Sequence, residues 1–224
     1  MNGWHQLAWV QVMGGFEAAN AALLDSPIDG LSATDPHLLQ VADMLSLITG
    51  NTQRNAAGAS YSDSISAFAL EEALMLPQGT WALPAINAMN PEFEVSMFAF
   101  PGFNRGDELT IGAADLAFSI SSDVSEANQE AAHRFLEFLT RPEIMQRYFD
   151  EDGSPTSVMA VQTEGRFEEM RPVTDLAFTD KQGIWLHAEW LSEPEFHSLT
   201  VDFMNNSDLN AFVNDMNRFF NMHK

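Results

Sequence analysis

The sequence predicts an α/β chain that is mainly helical, and three observations carry that expectation. Apolar residues recur at helical spacing in segment after segment, each bounded by a capping residue, a glycine or a proline. Only two runs, 93–100 and 116–121, read as strands. The composition, 46% apolar with 11% aromatic residues over 224 positions, is that of a packed chain of one or two domains. So few strands are unusual for a self-sufficient α/β domain.

Taken in order, residues 7–24 read as a helix with a small-residue middle at Gly14, Gly15, Ala18 and Ala19. Asp35-Pro36 opens a second helix, with Asp35 as cap and Pro36 in the first turn. Leu38, Leu39, Ala42, Leu45 and Ile48 mark its buried face, and Gly50 ends it. A polar loop over 51–61 leads to a helix from about Ser64 to Leu76, with Phe68 and Met75 on the buried side. Pro77 and Gly79 break that helix, and the turn presents Trp81, which a strand is expected to follow.

The run Phe93 to Phe100 is that strand, closed by Pro101-Gly102, and Leu116 to Ser121 is a second. Between them 103–110, containing Asn104-Arg105-Gly106-Asp107, is a loop. Helices are expected at 126–139, burying Ala131, Ala132, Phe135, Phe138 and Leu139, and from Pro142 to Gly153, carrying Ile144, Met145, Tyr148 and Phe149. The chain reads as irregular from Pro155 to Asp175. A helix over 180–204 carries Trp185 and Trp190, with a bend at Pro194. A last helix, capped by Ser207, buries Leu209, Phe212, Val213, Met216 and Phe220.

Charge excludes whole classes of partner. With 32 acidic residues against 10 Lys plus Arg, the net charge is −22, which repels nucleic acid and anionic membranes and suits neutral or cationic small ligands. The absence of cysteine removes disulfides, thiolate metal sites and a Cys nucleophile. No apolar run approaches the ~20 residues that span a bilayer. The opening Met-Asn-Gly-Trp-His-Gln has neither the basic nor the apolar region of a signal peptide.

Catalytic and metal chemistry finds no foothold. The six histidines never stand at i, i+4 spacing, and Asp150-Glu151-Asp152-Gly153 lacks the register of a calcium loop. No G-x-S-x-G, P-loop or G-x-G-x-x-G occurs. No two carboxylates stand out as an acid–base pair, so no catalytic residue, metal or cofactor is expected and the chain is read as a non-enzyme.

Tryptophan remains, at Trp4, Trp9, Trp81, Trp185 and Trp190. An indole face beside acid and amide side chains suits a sugar, whose C–H face stacks on the ring while its hydroxyls bond to the polar groups. The competing reading is that these rings fill cores. Trp9 is assigned to a core, whereas Trp81 and Trp4 are read as ligand-facing.

The segment Phe68-x-x-Glu71-Glu72-Ala73-Leu74-Met75 with Gly79-Thr80-Trp81 resembles the F-x-x-G-K-A-A-M…G-x-W segment of bacterial extracellular solute-binding proteins of the carbohydrate-binding family 1 group. Ile111 to Ser121 is similar to that family's G-x-D-x-x-x-x-I-S strand. Glu130 to Glu143 is similar to its E-A-A-x-x-F-L-x-F-L-x-x-P-E helix pair, and Gly153-Ser154-Pro155-Thr156 to the G-x-P-T that follows. These motifs occur in the family's order over 64–157. Glu71 and Glu72 depart from the usual Gly-Lys, and Pro77 precedes the turn.

The resemblance implies a periplasmic-binding-protein-like two-lobed clamp (type II) that closes around a sugar and delivers it to the permease of an ABC importer. It implies an extracellular or periplasmic location, including a cell-surface lipoprotein form of the full-length protein. The stacking aromatic of the family carries over onto Trp81. In maltose-binding-protein-like members another aromatic precedes a Gly-Gly pair, which places Trp4 there; Trp190 or Trp185 stands for a third, and Asp115 for a polar contact. The chain then corresponds to the C-terminal portion, with most of the N-terminal lobe missing. Residues 1–102 and 165–224 would build the second lobe, and 103–164 the crossover and a remnant of the first. Phe135, Phe138, Ile144 and Tyr148 are then expected to expose apolar surface and promote association. The alternative reading is a fragment with no independent ligand binding; a glycan-acting enzyme ranks below it.

Overall fold

The computed structural model describes residues 2–25, 31–53, 56–112, 117–183 and 193–222. In chain order the first elements are α1 (Asn2–Met13), α2 (Phe16–Asn20), a π turn (Ala21–Asp25), α3 (Pro36–Gly50), a 3-10 turn (Ala56–Gly58), α4 (Tyr61–Ala69) and α5 (Ala82–Asn87). There follow β1 (Thr110–Ile111), α6 (Glu126–Leu139), α7 (Pro142–Asp152), a 3-10 turn (Glu168–Met170) and α8 (Arg171–Thr174). β2 (Gln182–Gly183), α9 (Glu193–Asn206) and α10 (Leu209–Met222) complete the order. They gather into two compact units, one of Met1–Ala59, Phe100–Ala113 and Phe178–Lys224, the other of Ser60–Ala99 and Ala114–Ala177.

In the first unit, α1 packs against α3 and α9, and α10 packs on α9. Trp9, Val10, Leu38, Val41, Leu45, Phe196 and Met216 are buried at the centre, each large apolar side chain contributing roughly 1.5–3 kcal/mol of burial. The expected helix over 7–24 begins earlier and is cut in two. The Gly15 N–H donates to the Val10 carbonyl at 2.9 Å and the Gly14 N–H to the Gln11 carbonyl at 3.3 Å. Gly14 has φ 81° and Gly15 φ 142°, so this pair closes α1 in a Schellman turn that side chains with a Cβ disfavour. α3 forms as expected: the Asp35 carboxylate accepts from the His37 and Leu38 N–H groups, each at 2.9 Å. Its buried face is Leu38, Val41, Ala42 and Leu45; Leu39 is exposed and Val41 takes the place given to it.

Two further expectations in this unit are corrected. The cap of α10 is Asp208, whose carboxylate accepts from the Ala211 N–H at 3.0 Å, while Ser207 takes a left-handed φ of 55°. The helix expected over 180–204 starts as strand. β2 pairs in parallel with β1, Thr110 opposite Gln182 and Ile111 opposite Gly183, and α9 begins at Glu193 with Pro194 in its first turn. Residues 184–192 lie outside the described residues.

In the second unit, α4 is fixed by a reciprocal capping box. The Ser60 hydroxyl accepts from the Asp63 N–H at 3.1 Å, and the Asp63 carboxylate accepts from the Ser60 N–H at 2.9 Å. Those bonds hold the Asp63 carboxyl below its ordinary range. The helix stops at Ala69 instead of Leu76, because Glu71 turns left-handed at φ 62°. Its N–H donates to Phe68 at 3.0 Å and that of Glu72 to Ala67 at 2.9 Å, the Schellman pattern again. Met75, beyond this stop, is 67% exposed, which corrects its expected burial.

A helix, α5, follows Trp81 ahead of the run expected as a strand. Its Ala82 and Ile86 form a small core with Ile65, against which Phe68, Leu76 and Val95 pack. Nor is 93–100 a strand: a bridge from Phe100 to Leu109 is its pairing. The alternation was real, since burial along 93–99 alternates residue by residue. What the run lacks is a neighbour, for a strand is defined by its ladder, and the Met97 N–H instead meets the Glu169 carbonyl at 3.1 Å. Of the second expected strand, residues 117–121 are not strand, and 116 lies outside the described residues.

Helices α6 and α7 match their expected bounds, but α6 buries no residue. Phe135 is 55% and Phe138 41% exposed, and Tyr148 on α7 is 45% exposed, so the expected interior face of α6 is an outer face of this chain. Phe149 is buried and meets Phe167 edge-on at 5.6 Å.

Candidate functional site

Trp81 lies in the second unit at the N-terminus of α5. Its turn is built by the Ala82 N–H donating to the Gly79 carbonyl and the Leu83 N–H to the Thr80 carbonyl, each at 3.1 Å. The six-membered ring of the indole lies against Gly79 so closely that a Cβ there would collide with Cζ3, Cη2 and Cε3. Gly79 is therefore required for this ring position, and Trp81 remains 47% exposed. A core-filling ring would not; the geometry is that of an aromatic offered to solvent on a fixed turn.

The turn is joined to the segment after α7. The Thr80 and Ser154 hydroxyl oxygens stand 3.4 Å apart, which brings Gly79-Thr80-Trp81 and Gly153-Ser154-Pro155-Thr156 together within one unit. Ser154 is itself held, its N–H donating to the Asp152 carboxylate at 3.1 Å. Both motifs were legible in the sequence; the contact between them was not, because hydroxyl pairing 74 residues apart leaves no periodicity to read.

Trp4 lies in the first unit, half-buried on α1. Its helix is pinned one residue later. His5 is fully buried, stacked on Phe196 with centroids 4.3 Å apart and tilted against Phe212 at 5.3 Å. The Trp9 Nε1–H donates to His5 Nε2 at 3.0 Å. An indole can only donate, so Nε2 must accept and Nδ1 carries the proton. Nδ1–H then donates to Thr200 Oγ1 at 2.8 Å, and that hydroxyl donates to the Phe196 carbonyl at 3.2 Å. Burial in this apolar setting pushes the His5 pKa down to about 3, so the ring is neutral at ordinary pH. His5 went unread in the sequence, although a buried Trp four residues away on one helix needs an acceptor and is the signal that points to it.

Trp81 and Trp4 belong to different compact units, and each is placed within its own. Trp185, Trp190 and Asp115 lie outside the described residues. Trp9, assigned to a core from the sequence, is 2% exposed. Among the described residues no group of three or more His, Asp or Glu side chains converges as a metal site would need. A shallow depression along α7 is lined by Ile144, Arg147, Tyr148, Asp150 and Glu151; it lacks the enclosure of a ligand cleft.

Comparison with known proteins gives the geometry its context. A family model for bacterial extracellular solute-binding proteins matches residues 2–170. Over 226 residues the chain is 41% identical to the multiple sugar-binding protein of Streptococcus mutans serotype c, an alignment covering 100% of this chain and 53% of that protein. The solved structure of RafE in complex with raffinose superimposes with a TM-score of 0.90 at 40% identity, covering 99% of this chain and 58% of that one. The apo form of RafE from Streptococcus pneumoniae gives 0.83 at 40% identity, covering 99% and 57%. The chain thus spans about half the length of the curated relative it matches, and it has the fold of the corresponding part of these two-lobed proteins. With a family match over most of its residues and this similarity along its full length, the chain belongs to the bacterial extracellular solute-binding proteins.

Proposed function

We propose that this chain is the sugar-recognising part of a substrate-binding component of an ABC importer, and that it catalyses no reaction. The observation that carries the reading is the half-exposed Trp81 indole on its rigid turn, in a chain 40% identical to RafE in its raffinose complex. The ligand class is a sugar or oligosaccharide, stacked by its C–H face on Trp81, with Trp4 supplying a second aromatic. Trp190, Trp185 and Asp115 are the further contacts proposed from the sequence. In the complete protein, residues 1–102 and 165–224 build one lobe, and 103–164 the crossover with part of the other. Closure of the two lobes selects the sugar-bound state through contacts made only when closed. The permease is the partner that receives the sugar, and the location is extracellular or periplasmic.

A second reading is favoured by the exposure of Phe135 and Phe138 on α6: this chain alone binds no sugar, and binding requires further protein against that face. Intrinsic tryptophan fluorescence titrated with a panel of mono- and oligosaccharides separates the two. The first reading expects a saturable change with at least one sugar. A flat response from this chain, alongside binding by a version extended upstream, supports the second. Binding of a responsive sugar that persists unchanged in Trp81→Ala contradicts the site assignment.

A further inference from the structure

The contact between Thr80 and Ser154 links the turn that carries Trp81 to the capped C-terminal end of α7. α7 ends at Gly153 with φ 79°, a left-handed cap, and the Gly153 N–H donates to the Phe149 carbonyl at 2.8 Å. A Cβ at Gly153 would press on the Phe167 ring and the Met170 sulfur, at 2.8 and 2.9 Å. Met170 is completely buried and Phe149 nearly so. Ser154 is therefore delivered to its place by a packed aromatic and methionine cluster, with its own N–H tied to Asp152. The side of Trp81 opposite in origin is equally constrained, since the ring lies against Gly79. Between those two fixed points the connecting polar contact is Thr80 Oγ1 to Ser154 Oγ, 3.4 Å.

We propose that Ser154 is a positioning residue for Trp81, its hydroxyl holding Thr80 and thereby setting the angle at which the indole meets a ligand. The proposal rests on Trp81 being the sugar-stacking residue only for its consequence in binding; the mechanical link stands separately. A hydroxyl pair at this distance contributes modestly to stability, but stacking is sensitive to ring angle and offset. Loss of the Ser154 hydroxyl leaves Thr80 without this anchor, and the turn before α5 then samples other orientations. The family resemblance covers Gly153-Ser154-Pro155-Thr156 as a motif; the structure assigns its serine a task.

The test uses the full chain labelled with 7-fluorotryptophan, whose fluorine sits on Cζ2 and not on the ring carbons nearest Gly79. The Trp81 resonance is assigned by its loss in Trp81→Phe. Ser154→Ala is expected to shift and broaden that resonance while the other tryptophan signals hold their positions. Ser154→Thr restores it, which a general loss of packing would not allow. Thr80→Val is expected to reproduce the Ser154→Ala change, and the double variant to add nothing further. With raffinose as probe, Ser154→Ala weakens binding about 3- to 10-fold, and Ser154→Thr recovers it. An unmoved Trp81 resonance in both Ser154→Ala and Thr80→Val overturns the link whatever raffinose does. A moved resonance, with raffinose binding indifferent to Trp81→Ala, upholds the link and overturns the sugar assignment of Trp81.

Discussion

His5 shows how much a single side chain fixes. It has no route to water, and each ring nitrogen is satisfied, Nε2 by Trp9 and Nδ1 by Thr200. Protonation would remove the acceptor that Trp9 needs and put an uncompensated charge among Phe196 and Phe212. Its pKa is about 3 when folded against about 6.5 for an exposed imidazole, so between those limits the unfolded chain binds a proton that the folded chain does not. Stability from this site is complete above about 6.5 and is lost as pH falls toward about 3, at up to about 1.4 kcal/mol per pH unit. Because neutralising carboxylates on a chain of net charge −22 acts in the other direction, the comparison is with His5→Gln, which offers an acceptor to Trp9 and a donor to Thr200 without titrating. Urea melts between pH 7 and pH 4 are expected to show wild type losing stability relative to His5→Gln; parallel curves would contradict the buried neutral imidazole. Glu71 is the converse case, a residue fitting poorly. It occupies the left-handed position closing α4, a conformation that glycine adopts without a Cβ penalty. Glu71→Gly is expected to stabilise by about 1 kcal/mol, read as a rise in denaturation midpoint; a fall would show that the Glu71 side chain makes compensating contacts.

At the scale of elements, what was legible was what depends on neighbours in sequence. The starts of α3 and α7 follow from Asp35-Pro36 and Pro142, whose capping and first-turn chemistry acts within four residues. The misread ends are those where a backbone turn overrode side-chain periodicity. Gly14-Gly15 stops α1, Glu71 stops α4, and Asp208 replaces Ser207 at the head of α10. For that last pair, Asp208→Ala is expected to cost about 1 kcal/mol and Ser207→Ala much less in thermal melts; the reverse order would restore Ser207 as the cap. Strands were legible only as alternation. Residues 93–99 alternate in burial without forming a ladder, whereas Thr110–Ile111 and Gln182–Gly183, too short to show a pattern, do pair. Pairing is a property of two segments, and neither announces its partner. The same limit applied to the site. Trp81 and its glycine turn could be named from sequence, but the tie from Thr80 to Ser154 is a long-range contact.

For the whole molecule, the chain folds as two compact units, and the fourteen-residue helix α6 buries no side chain. Phe135 and Phe138 on α6 are left in water, with the Arg141 guanidinium 5.4 Å from the Phe138 centroid, a contact that shields one ring only in part. Apolar surface of this kind promotes association. Sedimentation velocity over a concentration series is expected to show self-association that the Phe135→Ser, Phe138→Ser double variant reduces; identical profiles would place the contact elsewhere. The net charge of −22 favours solubility and disfavours anionic ligands. Whether Trp81 is the stacking face is decided by calorimetric titration of raffinose into wild type, Trp81→Phe and Trp81→Ala. Trp81→Phe is expected to keep most of the affinity while Trp81→Ala loses about 10-fold or more, the loss of one aromatic contact of about 1.5 kcal/mol. Equal raffinose affinity in wild type and Trp81→Ala would contradict it.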